Sequence, residues 1–222
     1  MTKRILCYGD SNTWGFDIDN QVDRNRFQVR YPSEVRWTGI LARQLGDGYT
    51  VIEEGLNARS TIWDDPSWPD RNGLTYLRPC LNSHAPIDLV VLMLGTNDLK
   101  VRLCGYVPDI ARGVSVLIDT IQSGYDGPGG RAPQVLLISP LLVGEWIADN
   151  DKELAGEFGG VIACEKSKEL SGYYAEVAKQ KGCHFLDAAK IASPGSDAIH
   201  FDIPGHAALG EAVAKKVAEI FA

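Results

Sequence analysis

The segment at residues 87–94, IDLVVLML, is apolar at nearly every position. A strand with this composition must be covered on both faces, as a central strand of a parallel sheet is. Similar short apolar runs recur along the chain and alternate with amphipathic stretches of helical length. This alternation predicts an α/β fold in which helices cover both faces of a parallel sheet.

The apolar runs and the residues that interrupt them set the expected boundaries. Strands are predicted at 3–8, 49–54, 87–94, 134–139 and 183–186, and helices at 34–45, 73–83, 107–123, 164–181 and 204–221. We expect Ser33 to cap the first of these helices and Gly46 or Gly48 to end it. Segments 16–33, 61–73 and 124–133 have the composition of loops, and residues 141–163 lack clear periodicity. Loops of that length are often functional.

Composition limits the class of protein. A chain of 222 residues that is 45% hydrophobic can bury a substantial core, and we expect one domain over 1–222. The net charge of −7 disfavours binding to nucleic acid or to an anionic membrane. The N-terminal apolar run stops at Gly9, too early for a signal peptide, and no stretch is long enough to span a bilayer. We expect a cytoplasmic protein.

The five cysteines are scattered and odd in number, which argues against a closed disulfide framework. They also lack the paired spacing of a typical zinc site. We therefore expect free thiols in a reducing compartment, with no metal and no other cofactor.

Polar residues follow each of the first three predicted strands. The first strand leads into Gly9-Asp10-Ser11, the second into Gly55-Leu56-Asn57-Ala58-Arg59, and the third into Gly95-Thr96-Asn97-Asp98. Ligands of open parallel sheets bind at the carboxyl ends of the strands, so the fold would bring these segments to one rim. Ser11 is the candidate nucleophile of that rim.

Asp197 and His200 supply the groups that a nucleophilic serine requires. Residues at positions i and i+3 share a face in a turn or helix, so Asp197 can orient His200, and His200 can take the proton of Ser11. The Asn97 amide and the backbone N–H groups of Ser11 and Ala58 are candidate oxyanion donors.

Three other histidines compete with His200 for the role of base. His84 and His184 have no acidic residue just upstream. His206 follows Asp202, but Asp202-Ile203-Pro204 is typical of a helix start in which the aspartate is the N-cap. The sequence therefore favours His200.

These blocks resemble the SGNH (GDSL) hydrolase family, and most of all its small bacterial arylesterases and acyltransferases. Gly9-Asp10-Ser11 resembles the nucleophile block, Gly95-Thr96-Asn97-Asp98 the asparagine block, and Asp197-x-x-His200 the last block, and the resemblance extends from residue 5 to about 206. Asn12 stands where the family usually has leucine. Ala58 aligns with the glycine of the second block, although another alignment places Gly55 there. Ala58 would donate its N–H as glycine does if its φ is negative.

The resemblance implies a three-layer α/β/α fold with a five-stranded parallel sheet in flavodoxin-like order. It also implies a metal-free serine esterase that acts on a small-molecule ester, with acyl transfer to alcohols as a related activity. Asn12 and Trp14, beside the nucleophile, are expected to bind substrate. The bulk of Trp14 and Phe16 favours a short acyl group such as acetyl.

Self-association is a further expectation. Trp63, Trp68 and Trp146 lie in loop-like or aperiodic segments and could place apolar area at the surface near the site. The similar arylesterases are often oligomeric, and we expect a homo-oligomer.

Two alternative functions remain open at the level of sequence. Metal-dependent phosphoester hydrolysis could use a ligand set of Asp10, Asn97, Asp98, Asp197 and His200. Against it, the chain has no Asp-x-His start and no paired histidine motif near its end.

The second alternative is a non-catalytic flavodoxin-like binding module. Trp14, Trp63 and Trp68 would stack on a flat ligand in such a module. No glycine-rich phosphate loop supports it.

Overall fold

The computed structural model describes residues 2–20, 29–103, 105–149 and 152–222. Its five strands are β1 (Lys3–Gly9), β2 (Tyr49–Gly55), β3 (Leu89–Met93), β4 (Gln134–Ser139) and β5 (His184–Asp187). They form one sheet in the order β2-β1-β3-β4-β5, with every neighbouring pair parallel. This is the expected flavodoxin-like order. From β1 the chain adds β2 on one side, and it then crosses over to add β3, β4 and β5 on the other side of β1.

The register brings the first three strands to the same level at the carboxyl edge. Gly9, the last residue of β1, pairs with Gly55 of β2 and with Met93 of β3. The three loops that follow these strands therefore emerge side by side. The edge between β1 and β3 is the switch point at which ligands of open α/β sheets bind.

Helices cover both faces of the sheet. They are α1 (Ser11–Trp14), α2 (Trp37–Leu45), α3 (Gly73–His84), α4 (Val107–Gln122), α5 (Lys152–Phe158), α6 (Val161–Lys181) and α7 (Ile203–Phe221). Along β1, Leu6 and Tyr8 pack with α3, α4 and α6, whereas Ile5 and Cys7 pack with α2 and α7. Two apolar cores explain why the central strands are apolar at successive positions.

Several boundaries differ from the sequence-based expectation. The helix expected at 34–45 begins at Trp37, because the Pro32 carbonyl accepts the N–H groups of Val35 and Arg36 in a preceding turn. The Ser33 hydroxyl bonds Glu34 and does not cap the helix. The strand expected at 87–94 is shorter, and α6 begins earlier than residue 164. Neither α1 nor α5 was predicted.

Four cysteines, Cys7, Cys80, Cys164 and Cys183, are free thiols. Cys104 and part of the predicted loop 16–33, residues 21–28, lie outside the described residues. In the described part of the chain, no helix combines the length and the apolar character needed to cross a membrane.

Candidate active site

Ser11 lies where β1 turns into the short helix α1. The Asp10 carboxylate accepts the Asn12 N–H at 2.9 Å and caps this helix, which makes Ser11 its first residue. Only 7% of Ser11 is exposed. Its side chain lines a cleft of about 370 Å³ at the carboxyl edge of the sheet.

Asp197 and His200 approach Ser11 from the loop between β5 and α7. The Asp197 Oδ2 atom lies 2.6 Å from His200 Nδ1, and its Oδ1 atom accepts the N–H groups of Ile199 and His200 at 3.1 and 2.9 Å. Burial raises the pKa of Asp197, but the charge and hydrogen bonds of His200 outweigh burial and hold that pKa well below its usual range. Asp197 is therefore an ionised acceptor that fixes the ring of His200.

The other ring nitrogen of His200 faces the serine. His200 Nε2 lies 2.8 Å from Ser11 Oγ. Because Asp197 is ionised and can only accept, the Nδ1–H group of His200 donates a hydrogen bond to it, and Nε2 is left as the acceptor for the serine hydroxyl. Phe16 stacks on the imidazole with ring centroids 4.5 Å apart, which holds the ring from its face.

The three predicted oxyanion donors also converge on this cleft, since Ser11, Ala58 and Asn97 all line it. Asn97 Nδ2 donates one hydrogen bond to the Arg59 carbonyl at 3.2 Å, which leaves a second amide hydrogen. Among the described residues, the backbone N–H groups of Ser11 and Ala58 have no backbone acceptor.

Arg59 connects the loop after β2 to the end of β1. Its guanidinium donates to the Gly9 carbonyl at 2.9 Å and to the Glu54 carbonyl, and it lies 4.2 Å from the centre of the Tyr8 ring. The residue is 2% exposed. Arg59 thus holds the second loop against the first while its own carbonyl orients Asn97.

The backbone of Ala58 differs from the expectation. Its φ is +64°, not negative, so the residue adopts the left-handed conformation in which an alanine costs about 1–2 kcal/mol. The loop geometry is therefore one that glycine would adopt freely, in agreement with the alignment of Ala58 to the family's glycine.

Gly55, the alternative to Ala58, does not line the cleft. It ends β2 against α1, where a Cβ atom would lie 2.1 Å from the Trp14 backbone nitrogen. Close packing accounts for this glycine, and the structure favours Ala58 as the donor position.

Asn12 and Trp14, the expected substrate-binding residues, lie outside the cleft. Asn12 is 3% exposed, and its amide group donates to the Ile199 carbonyl at 3.3 Å and accepts the Phe201 N–H at 2.9 Å. The Trp14 ring packs beside the Arg30 guanidinium at 5.5 Å. Of the residues of the short helix α1, only Ser11 lines the cleft, and the side chains of Asn12 and Trp14 contact other parts of the protein.

The other three histidines have structural partners. His206 is 1% exposed, and its Nδ1 atom accepts the Trp37 N–H at 3.3 Å. Burial, followed by the charges of His200 and Arg36, lowers the pKa of His206 to about 3. His84 pairs with Glu54 at 2.8 Å, and His184 contacts Gln134 at 3.2 Å.

The far wall of the cleft comes from α5 and the loop that contains Trp68. The sequence does not indicate this wall, because α5 lies in the segment 141–163, which lacks clear periodicity. The lining residues on this side are Ser67, Trp68, Lys100, Glu153, Leu154, Glu157 and Phe158.

Lys100 is a nearly buried cation in that wall. Its ammonium lies 3.6 Å from Glu157 and 3.9 Å from Asp65, and burial lowers its pKa. The Arg102 guanidinium donates a hydrogen bond to each oxygen of Asp65 at 2.8 Å. The carboxylate of Asp65 is therefore held more closely by Arg102 than by Lys100. The cleft therefore combines an apolar part, formed by Phe16, Leu154 and Phe158, with a charged part.

Two buried carboxyl groups lie behind the serine. Burial raises the pKa of Asp10 and of Asp98 to about 6, against hydrogen bonds that lower it. Asp98 accepts the Thr61 N–H at 3.0 Å and the Thr61 hydroxyl.

In the described part of the chain, two groups have the spacing of metal ligands: Glu54, Cys80 and His84; and Glu145, Cys164 and Glu165. Neither group contains a ligand that the phosphoesterase alternative requires. Of the tryptophans invoked for the binding-module alternative, Trp68 lines the cleft, and Trp14 and Trp63 do not.

An open parallel α/β fold with a serine, a histidine and an aspartate in contact at the strand ends has the architecture of a serine hydrolase. A family model described as the GDSL-like lipase/acylhydrolase family matches residues 7–208. The chain belongs to this family and is a carboxylic ester hydrolase. Among functionally curated proteins, no match was found.

Solved structures similar to this chain include three esterases. A carbohydrate acetylesterase from Sinorhizobium meliloti is 42% identical, with 99% of this chain and 100% of that chain covered and a TM-score of 0.89. The native aryl esterase of M. smegmatis is 41% identical over 98% and 99% of the two chains, with a TM-score of 0.88. A second S. meliloti carbohydrate acetylesterase family member is 33% identical over 99% of each chain, with a TM-score of 0.86.

Proposed function

We propose that the protein is a serine esterase that hydrolyses short-chain, acetyl-type esters of aryl alcohols or carbohydrates, with acyl transfer to alcohols as a second outcome. One observation carries the proposal: His200 lies within hydrogen-bond distance of both Ser11 Oγ and the Asp197 carboxylate. This is the geometry in which an imidazole activates a serine.

In the proposed reaction, Ser11 Oγ attacks the ester carbonyl carbon and its proton passes to His200 Nε2. Asp197 stays ionised and stabilises the imidazolium. The carbonyl oxygen becomes an oxyanion that the Asn97 amide and the N–H groups of Ser11 and Ala58 bind. As the tetrahedral intermediate collapses, His200 returns the proton to the departing alkoxide, which leaves an acyl-serine and a free alcohol.

The second half repeats these steps in reverse. Water, or an alcohol for acyl transfer, gives a proton to His200 and attacks the acyl carbon, and Ser11 leaves with that proton restored. The charged wall around Lys100 suits an acceptor or leaving alcohol that carries several hydroxyl groups, whereas Trp68 offers a ring face.

The acyl preference rests on the aromatic residue beside the base. Phe16 lines the cleft and stacks on His200, so it limits the space next to the scissile carbonyl. The sequence suggests this role for Trp14 and Phe16 together, but of the two only Phe16 lines the cleft. Long chains would be excluded by steric clash, because each methylene that fits is worth only about 1–3 kcal/mol.

Covalent labelling tests the nucleophile. An organophosphonate should modify the wild-type chain at Ser11, and Ser11→Ala should abolish both labelling and most of kcat. Ser67→Ala is the matched control, because Ser67 lines the same cleft. Labelling that persists in Ser11→Ala, or that maps to Ser67, would refute the proposal.

A panel of p-nitrophenyl esters tests the acyl preference. We expect kcat/KM to fall steeply from acetyl or butyryl to octanoyl, and Phe16→Ala should flatten this dependence. A kcat/KM that rises through octanoyl in the wild-type enzyme contradicts the short-chain assignment. Addition of an alcohol acceptor to the same assay measures the transfer reaction.

A further inference from the structure

Cys80 and His84 lie on one face of α3, because residues four apart in a helix are neighbours. Glu54, the second-to-last residue of β2, faces them from the sheet, and its Oε1 atom lies 2.8 Å from His84 Nε2. One ligand-type atom from each of these three residues lies within 4.8 Å of the other two.

We propose that Glu54, Cys80 and His84 form a binding site for a zinc ion, separate from the active cleft. The donors are a sulfur, an imidazole nitrogen and a carboxylate oxygen, which are the ligands that Zn²⁺ prefers. A tetrahedral ion with bonds of about 2.0–2.3 Å places its donors about 3.3–3.8 Å apart, so small side-chain movements suffice. Water would take the fourth position.

The thiol favours zinc over the hard cations Mg²⁺ and Ca²⁺, which select oxygen ligands. A bound thiolate and the Glu54 carboxylate would together balance the charge of the ion. Cys80 is fully buried, whereas the side chains of Glu54 and His84 are 19% and 29% exposed. The ion would therefore enter from the solvent side and reach the thiol last.

Nearby charged groups shift the pKa of the Cys80 thiol in opposite directions. Burial and the Glu54 carboxylate raise the pKa of Cys80 to about 12, and the Arg59 guanidinium acts against them. The Glu54 carboxylate, which adds to the effect of burial on the thiol, also attracts a divalent cation, and a zinc ion would displace the thiol proton on binding. Arg59 weakens the site but is itself held by the Gly9 and Glu54 carbonyls.

The second group, Glu145, Cys164 and Glu165, is a poorer candidate. It has no histidine, and the Lys168 ammonium lies 2.8 Å from Glu165 and 3.5 Å from Glu145. Both carboxylates are exposed. This group provides the matched control for a binding experiment.

The test begins with protein dialysed against EDTA and then freed of chelator. Zn²⁺ titration by calorimetry should show one ion per chain at micromolar concentration, and bound zinc should raise the melting temperature. Co²⁺ should give a thiolate-to-cobalt charge-transfer band. Cys80→Ser should abolish the band, and His84→Gln, at a partly exposed position, should weaken zinc binding at least about tenfold.

Cys164→Ser should bind zinc like the wild-type chain. The proposal is overturned if zinc does not bind at micromolar concentration, if Cys80→Ser and His84→Gln bind it unchanged, or if Cys164→Ser is the variant that loses it. Turnover of p-nitrophenyl acetate by the metal-free enzyme is measured separately. None of the three ligands lines the cleft, so turnover should persist after EDTA dialysis and in His84→Gln whatever the outcome for zinc.

Discussion

His200 and His206 show how the surroundings of one residue type decide its chemistry. His200 has a carboxylate on one ring nitrogen and a serine hydroxyl on the other, and its side chain is 13% exposed to the cleft. His206 is almost fully buried beneath α2 and contacts the rings of Tyr31 and Phe201. We therefore expect the first to exchange protons during catalysis and the second to remain neutral.

A pH-dependent stability follows from His206. Its pKa is about 3 in the folded chain and about 6.5 when unfolded, so between these values the unfolded chain binds more protons. The contribution of His206 should raise the free energy of unfolding as pH rises through this window, by at most about 1.4 kcal/mol per pH unit, and stay constant above it. His206→Gln removes the titration and keeps an acceptor for the Trp37 N–H.

Urea denaturation at several pH values measures this effect. The stability of the wild-type chain relative to His206→Gln should grow from pH 3 to pH 6.5. Asp98→Asn is a control of opposite sign, because the pKa of Asp98 is raised from 3.8 to about 6, and the wild-type advantage should shrink across that range. Parallel curves for wild type and His206→Gln would contradict the assignment.

Asn97 gives a second prediction at the scale of the residue. Its amide is held by the Arg59 carbonyl and matters most when charge develops on the substrate oxygen. Asn97→Ala should lower kcat about 100-fold or more and leave KM nearly unchanged. Steady-state kinetics with p-nitrophenyl acetate measure both constants. A change confined to KM would show that Asn97 only binds substrate.

At the scale of elements, α1 and the loop between β5 and α7 form one unit. The helix presents Ser11 to the cleft, and Asn12 bonds the loop at Ile199 and Phe201, on both sides of His200. The contact between the serine and the histidine depends on how α1 and this loop are placed relative to each other. We therefore predict that Asn12 positions His200, whereas the sequence suggests a substrate contact for this residue.

Removal of this connection should reduce both stability and turnover. Asn12→Leu leaves the Phe201 N–H and the Ile199 carbonyl without their partner, and buried polar groups left unsatisfied cost about 1–3 kcal/mol each. We expect a lower free energy of unfolding in urea, and a lower kcat with little change in KM because the histidine loses its position. If stability falls while kcat is kept, then Asn12 does not position His200.

At the scale of the whole molecule, three exposed apolar side chains lie next to the α5 wall of the cleft. Val101, whose N–H donates to the Glu157 carbonyl of α5, is more than half exposed, as are Val161 and Ile162, which follow α5 in the chain. Trp146 is 43% exposed, whereas Trp63 and Trp68 are only partly exposed and Trp68 faces the cleft. Part of the exposed apolar surface therefore lies beside α5, and the predicted Trp63–Trp68 segment contributes less.

Self-association remains a prediction, and this surface favours it. Stable interfaces bury about 1,200–2,000 Å² and are rich in aromatic residues. Light scattering at micromolar concentration should give a multiple of the 24.2 kDa chain mass. Ile162→Glu should shift the equilibrium toward monomer, and Ile203→Glu, at an exposed position on α7, is the control. A wild-type monomer would rule the prediction out.

Local pattern determined the class of fold and the identity of the central residues. Runs such as 87–94 mark strands buried on both faces, and polar residues directly after β1 and β3 must reach the carboxyl edge of a parallel sheet. The Asp197–His200 spacing could also be recognised, because the contact is made within one turn. Each of these features depends only on residues that are close together in the sequence, so each could be predicted from the sequence.

Contacts between distant segments were decided only by the tertiary structure. The φ of Ala58, the inward turn of Asn12, the α5 wall and the grouping of Glu54 with Cys80 and His84 all depend on which segments pack together. The side-chain period of a strand or helix predicts the face on which a residue lies, but not the residue from another element that meets it there. Packing of the helices on the sheet makes that choice.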